Sequence, residues 1–256
     1  MYEHHLFYEL VMIIYACSVL LYFIDFLHYN RKVNLAAFWL LSIVWLLQLM
    51  FFILRGIHEQ AIPLFSKFDT LLLYSWVLIS LSLLANWFFR MDFLLFFANL
   101  IGFTVMAFSL YMVGHEVTHP LVAEQLRSEW LIIHIFMAFL SYAAFTISFI
   151  FSGIYLLQHH WLKKKKWYKQ FRRWPSLDQL DRYSFYFNLL GVPLLMLSLI
   201  LGIIWAYQLF STSFWYDSKV IFSLFALFMY TIYLYQRVAK GWLGKKIVEL
   251  NIICFL

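Results

Sequence analysis

Charge is too scarce in this chain to cover a water-soluble surface. Only 12% of the 256 residues are Asp, Glu, Lys or Arg, against 64% hydrophobic and 22% aromatic. Soluble domains carry about a quarter charged residues and about half apolar ones. The shortage makes lipid the solvent for most of the surface. Cysteine is almost absent: Cys17 and Cys254 both lie inside apolar runs, which leaves no disulfide framework and no thiolate metal site. The first apolar run has no basic region before it and no small-residue cleavage site after it, so it reads as a retained helix rather than a signal peptide. Internal repeats and low-complexity tracts are missing. The paired, interrupted helices common in secondary transporters are missing as well.

What the chain does have is apolar runs of spanning length, roughly 20 residues each. They fall at about 6–27, 35–54, 69–89, 93–113, 130–157, 184–210 and 218–236, with a shorter eighth at about 247–256. The expectation is an all-α, polytopic membrane bundle of about eight helices, one transmembrane domain over residues 1–256, its last helix truncated.

A net charge of +6 invites a nucleic-acid reading, but the basic residues gather at helix ends, as the positive-inside rule requires of a membrane protein. One set of loops carries Arg31, Lys32, Arg90, the cluster Lys163, Lys164, Lys165, Lys166, Lys169, Arg172, Arg173 and Arg182, and then Arg237, Lys240, Lys245 and Lys246. The opposite side keeps only Arg55, Lys67, Arg127 and Lys219. The N-terminus and the loops 55–68, 114–129 and 211–217 therefore face outside. The basic loop 158–183 is cytoplasmic, an anchor for anionic lipid and a docking surface for a cytoplasmic partner.

Three stretches carry candidate chemistry. In HEVTH, His115, Glu116 and His119 match the zinc-protease pattern, which needs both imidazoles on one helical face. Pro120 pushes His119 out of helical geometry, and a third ligand would have to come from Glu124 or Glu129. A solvated outer loop competes with the metal site. In SEWLIIH, Trp130 and His134 share a face about one turn inside the outer end of their helix. A buried imidazole there serves a helix neighbour or, being costly at membrane depth, a functional site such as axial ligation of haem iron. In FWYDSK, Trp215, Tyr216, Asp217 and Lys219 sit between two spans, on the outside. An aromatic belt with an Asp helix cap accounts for that cluster, and a ligand site competes with it. Ser176 with Asp178 and Gln179 reads as another cap.

The order of these motifs resembles the cytochrome c assembly family, the haem-handling membrane proteins of CcsA and CcmC type. The likeness runs over about residues 128–250. It is carried by Trp130/His134, Pro175–Ser176–Leu177 with Leu180–Asp181, Gly191/Pro193, Gly202/Trp205/Ala206, the tryptophan-bearing loop Trp215/Asp217/Lys219, and Arg237/Gly241/Trp242/Gly244. A weaker echo lies at 62–76, where His58 stands for a family histidine. Where the family has a glutamate after the lysine and a membrane histidine before the Arg–Gly–Trp turn, this chain has Val220 and Tyr235. Size and the reduced loop are closest to the HemX-type branch. The resemblance implies haem binding, b-type and non-covalent, at an outer groove of Trp130, Trp205, Trp215, Asp217 and Lys219. His134 would be one axial ligand, and His58, His115, His119 or a residue past Leu256 the other. It also implies a non-enzymatic role, regulating haem biosynthesis through the abundance of glutamyl-tRNA reductase, with haem export or cytochrome c assembly as the alternative.

Overall fold

The computed structural model describes residues 2–59, 66–89, 91–112, 129–164, 174–209 and 215–256. Among the described residues there are eight helices: α1 Tyr2–His28, α2 Arg31–Glu59, α3 Lys67–Phe89, α4 Asp92–Met112, α5 Glu129–Lys163, α6 Leu177–Leu209, α7 Ser218–Val238 and α8 Lys245–Phe255. Backbone polar groups cannot stay unpaired in lipid, so apolar runs of this kind fold as helices. Six of the eight, α1, α2, α3, α5, α6 and α7, are long and apolar enough to cross a membrane. The apolar part of α4, Phe93–Ser109, is shorter, and α8 has 11 residues. The chain is a multi-pass membrane protein.

Helix ends follow hydrogen bonding, not hydropathy alone. The fifth helix runs to Lys163, beyond the apolar run that stops near 157, because charged side chains leave the backbone ladder intact and reach out to water. The sixth starts at Leu177, ahead of the run at 184, because Ser176 and Gln179 form a reciprocal cap. Ser176 N donates to Gln179 Oε1 at 3.0 Å and Gln179 N to Ser176 Oγ at 3.3 Å.

The contacts divide the chain into two units, Met1–Arg127 and Ser128–Leu256. In the first, Tyr8, Tyr15 and Tyr22 recur every seven residues along α1 and are fully buried. Burial is tolerated where their hydroxyls find partners. Tyr8 donates to the Met106 carbonyl at 2.7 Å and Tyr15 to Asn99 Oδ1 at 3.2 Å. Arg55 on α2 pairs with the buried Asp69 on α3 at 2.5 Å.

The second unit is built on an antiparallel pair, α5 and α6. Ser184, Asn188, Gly191, Leu195, Ser198 and Gly202 alternate at spacings of four and three along α6, the seam of a left-handed helix pair. Small residues let two backbones approach, and hydroxyls stitch them. Ser141 Oγ donates to the Gly191 carbonyl at 2.8 Å and Ser148 Oγ to the Ser184 carbonyl at 2.9 Å. Asn251 locks the short α8 into the same seam. Its amide nitrogen is 2.6 Å from Ser152 Oγ, and its carbonyl accepts from Asn188 Nδ2 at 2.7 Å.

Midway along the seam the Phe145 ring lies between Gly191 and Tyr230. It stacks on Tyr230 at 3.8 Å with 5° between planes. A Cβ on Gly191 would come within 2.5 Å of the same ring. The ring cannot yield, because Tyr230 holds its other face. Gly191→Ala is expected to destabilise the unit by about 1–3 kcal/mol, the usual cost of overpacking. Melting in detergent checks this, and Phe145→Leu in the same chain should recover most of the loss.

Candidate functional site

The site is built from His134 outward. One turn into α5, its imidazole crosses onto α6 and is half-buried. Nδ1 lies 2.6 Å from the Ser198 carbonyl oxygen and 3.0 Å from Ser198 Oγ, and that hydroxyl also donates to the His134 carbonyl at 3.0 Å. The ring rests on Gly202: a Cβ there would sit 2.7 Å from Cε1, 2.8 Å from Nδ1 and 3.3 Å from Nε2 of the imidazole. The glycine leaves room for a flat ring that no other residue would leave.

The remaining residues share this end of the unit by connectivity. Trp130 is one turn earlier on the face of α5 that carries His134 and is 52% exposed. Trp205 follows Gly202 by three positions on α6 and is half-buried. Trp215, 38% exposed, precedes α7. Asp217 acts as the N-cap of α7, its carboxylate accepting from the Lys219 amide at 2.9 Å. It performs the cap that its sequence position allows. The Lys219 side chain is exposed.

His58 belongs to the last turn of α2, in the other unit, and its side chain is outside the described residues. His115, Glu116 and His119 also lie outside them. Among the described residues no three His, Cys, Asp or Glu side chains gather as a metal cluster. Tyr235, at the position where a family histidine is expected, is 58% exposed with Lys240 Nζ 5.7 Å from its ring centre.

Two features escaped sequence reasoning. Ser198 is one: nothing local says which side chain will land on its carbonyl. The other joins two motifs far apart in the chain. Asp181, from the Leu180–Asp181 motif, and Arg237, from the Arg–Gly–Trp motif, form a buried ion pair at 2.7 Å. Arg237 also donates to the Trp242 carbonyl at 3.0 Å and lies over the Phe185 ring at 5.4 Å. Gly241 and Gly244 turn the chain there with φ of 64° and 70°, values only glycine adopts without strain. The one legible signal was that each residue belongs to a motif of its own.

The family model for the cytochrome C assembly protein matches residues 64–256, from before α3 to the end of α8. This chain belongs to the cytochrome c assembly family. Within the family, it is 45% identical to protein HemX of Brevibacillus brevis over 97% of this chain and 91% of that one. It is 46% identical to protein HemX of Bacillus subtilis (strain 168), over 97% and 90%. The cytochrome c biogenesis protein CcsA of Chlamydomonas reinhardtii is more distant, 27% identical over 82% of this chain and 60% of that one. The motif residues that carry the family likeness in the sequence run from α5 to the turn before α8, and the Asp181–Arg237 pair joins two of those motifs directly.

Proposed function

We propose that this chain binds haem at the outer end of its second unit and acts, as a HemX-type protein, in regulating haem biosynthesis. It would do so by modulating the abundance of glutamyl-tRNA reductase. The observation that carries the binding half is the His134 imidazole, seated on Gly202 and held through Nδ1. The residues fit the group. A glycine cradle leaves a ring edge to face a planar ligand, and the half-buried and exposed indoles of Trp205, Trp130 and Trp215 offer apolar faces to it. When bound without a covalent link, haem supplies an iron that accepts a nitrogen ligand and two propionates that carry negative charge. His134 would provide the nitrogen, and Lys219 would meet a propionate.

Binding and signalling fit this unit better than passage through it. Below His134 the seam is filled by Gly191, the Phe145–Tyr230 stack and the Ser148–Ser184–Asn251 network. A planar ligand at the outer end meets a packed interior. The basic end, with Lys163, Lys164, Lys240, Lys245 and Lys246 exposed, is the surface for a cytoplasmic partner such as glutamyl-tRNA reductase, or for anionic lipid.

The test is a titration of haemin into detergent-purified protein. The expected result is a shifted Soret band saturating at one haem per chain. A free-haemin spectrum throughout would end the reading. The CcsA relatives support a second reading, cytochrome c assembly or haem export. Covalent cytochrome c formation on co-expression would favour it, and none is expected with Tyr235 in place of the family histidine.

A further inference from the structure

We infer that Ser198 and Gly202 are positioning residues that fix His134 as a single tautomer, with the proton on Nδ1 and the lone pair on Nε2. The inference rests on the haem reading for its purpose, though not for its geometry.

The acceptor chemistry decides the proton's place. A carbonyl oxygen has no hydrogen to give, so a 2.6 Å contact between Nδ1 and the Ser198 carbonyl holds only when Nδ1 carries the hydrogen. The Ser198 hydroxyl agrees with this. Its one proton goes to the His134 carbonyl at 3.0 Å, which leaves its oxygen as a second acceptor facing Nδ1 at 3.0 Å. Both partners on α6 therefore ask for the same tautomer, and the neutral ring is left with Nε2 as its basic nitrogen.

Gly202 enforces the contact sterically. It stands one turn after Ser198 on the same face, and the space for its missing side chain is filled by the imidazole. Any Cβ at 202 lifts the ring from α6 and breaks the Nδ1 bond. A histidine whose other nitrogen donates to a backbone carbonyl is a fixed, more basic metal ligand, and losing such a partner typically costs about 10–100-fold in metal affinity. Ser198 and Gly202 thus give His134 its ligand character without touching the iron.

Two measurements test this. In ligand-free protein with 15N-labelled histidine, the His134 resonances, assigned by their loss in His134→Gln, should show a protonated Nδ1 and an unprotonated Nε2. A protonated Nε2 overturns the inference whether or not haem binds. In haem-loaded protein, Gly202→Ala, which lifts the ring off the Ser198 carbonyl, should lower haemin affinity by about 10–100-fold and shift the reduction potential. Ser198→Ala keeps that carbonyl and loses only the hydroxyl, so it should move both in the same direction by less, while Ser198→Thr, which keeps the hydroxyl, should stay near the wild type. Wild-type binding with unchanged affinity and potential in both alanine variants would overturn the positioning role and leave the haem reading standing. Failure of the wild type itself to bind would overturn the haem reading, and with it the ligand purpose assigned here.

Discussion

Replacing Arg237 by alanine lowers the stability of the second unit by about 3–5 kcal/mol, the usual result of stranding one partner of a buried ion pair. The Asp181 and Arg237 side chains are only 5% and 9% exposed. Once the guanidinium is gone, Asp181 must either hold its charge with little water to solvate it or take up a proton, and either costs stability. The Trp242 carbonyl also loses its donor, so the turn between α7 and α8 loses one of its ties. Thermal unfolding in detergent should show a lowered midpoint. The effect should come from the stranded charge rather than from the loss of an attraction, and a double substitution separates the two. Asp181→Leu with Arg237→Met removes both charges, and apolar replacements of whole buried pairs are often neutral or stabilising. The double variant should therefore regain most of the loss, with a large favourable coupling in the mutant cycle. Arg237→Lys keeps the charge but not the fork that reaches Asp181 and Trp242 together, and should fall between. An Arg237→Ala protein that melts with the wild type would refute the account.

That pair shows what a single sequence conceals. Membrane insertion was legible in the apolar runs because lipid imposes one rule on every spanning residue. The cap at Ser176 and Gln179 was legible because its two partners are three residues apart. Helix ends were less so: hydropathy measures what lipid accepts, while α5 continues to Lys163 on backbone bonds that do not depend on the side chain. At FWYDSK the sequence left Asp217 with two roles, and only the backbone dihedrals and the Lys219 amide select the cap. His134 stood out as an imidazole inside an apolar run. Its partners did not, since a backbone carbonyl at Ser198 and a vacant Cβ at Gly202 become meaningful only once α5 and α6 are set in register. Asp181 and Arg237 were visible as motif residues without roles, because the contact between them exists only once α6 and α7 are packed together.

His134→Ala should abolish haem binding in the working range, a loss of at least about 100-fold, since removing the ligand exceeds the roughly 10–100-fold cost of disturbing its hydrogen-bond partner. A hundredfold is about 2.8 kcal/mol of binding free energy. Trp215→Ala should cost less, because an aromatic contact beyond its buried area contributes about 0.5–1.5 kcal/mol. Folding should respond in the opposite order. The imidazole is half-buried, and the Ser198 carbonyl it leaves behind belongs to a helix, so the melting midpoint of His134→Ala should fall far less than that of Arg237→Ala. The gap left above Gly202 is shaped for a five-membered ring. Free imidazole added to His134→Ala should therefore restore the Soret shift in a saturable way, and should do nothing for His134→Ala combined with Gly202→Ala, where the new methyl takes that space. Wild-type affinity in His134→Ala would remove His134 from the iron and return it to the role of a helix-to-helix bridge.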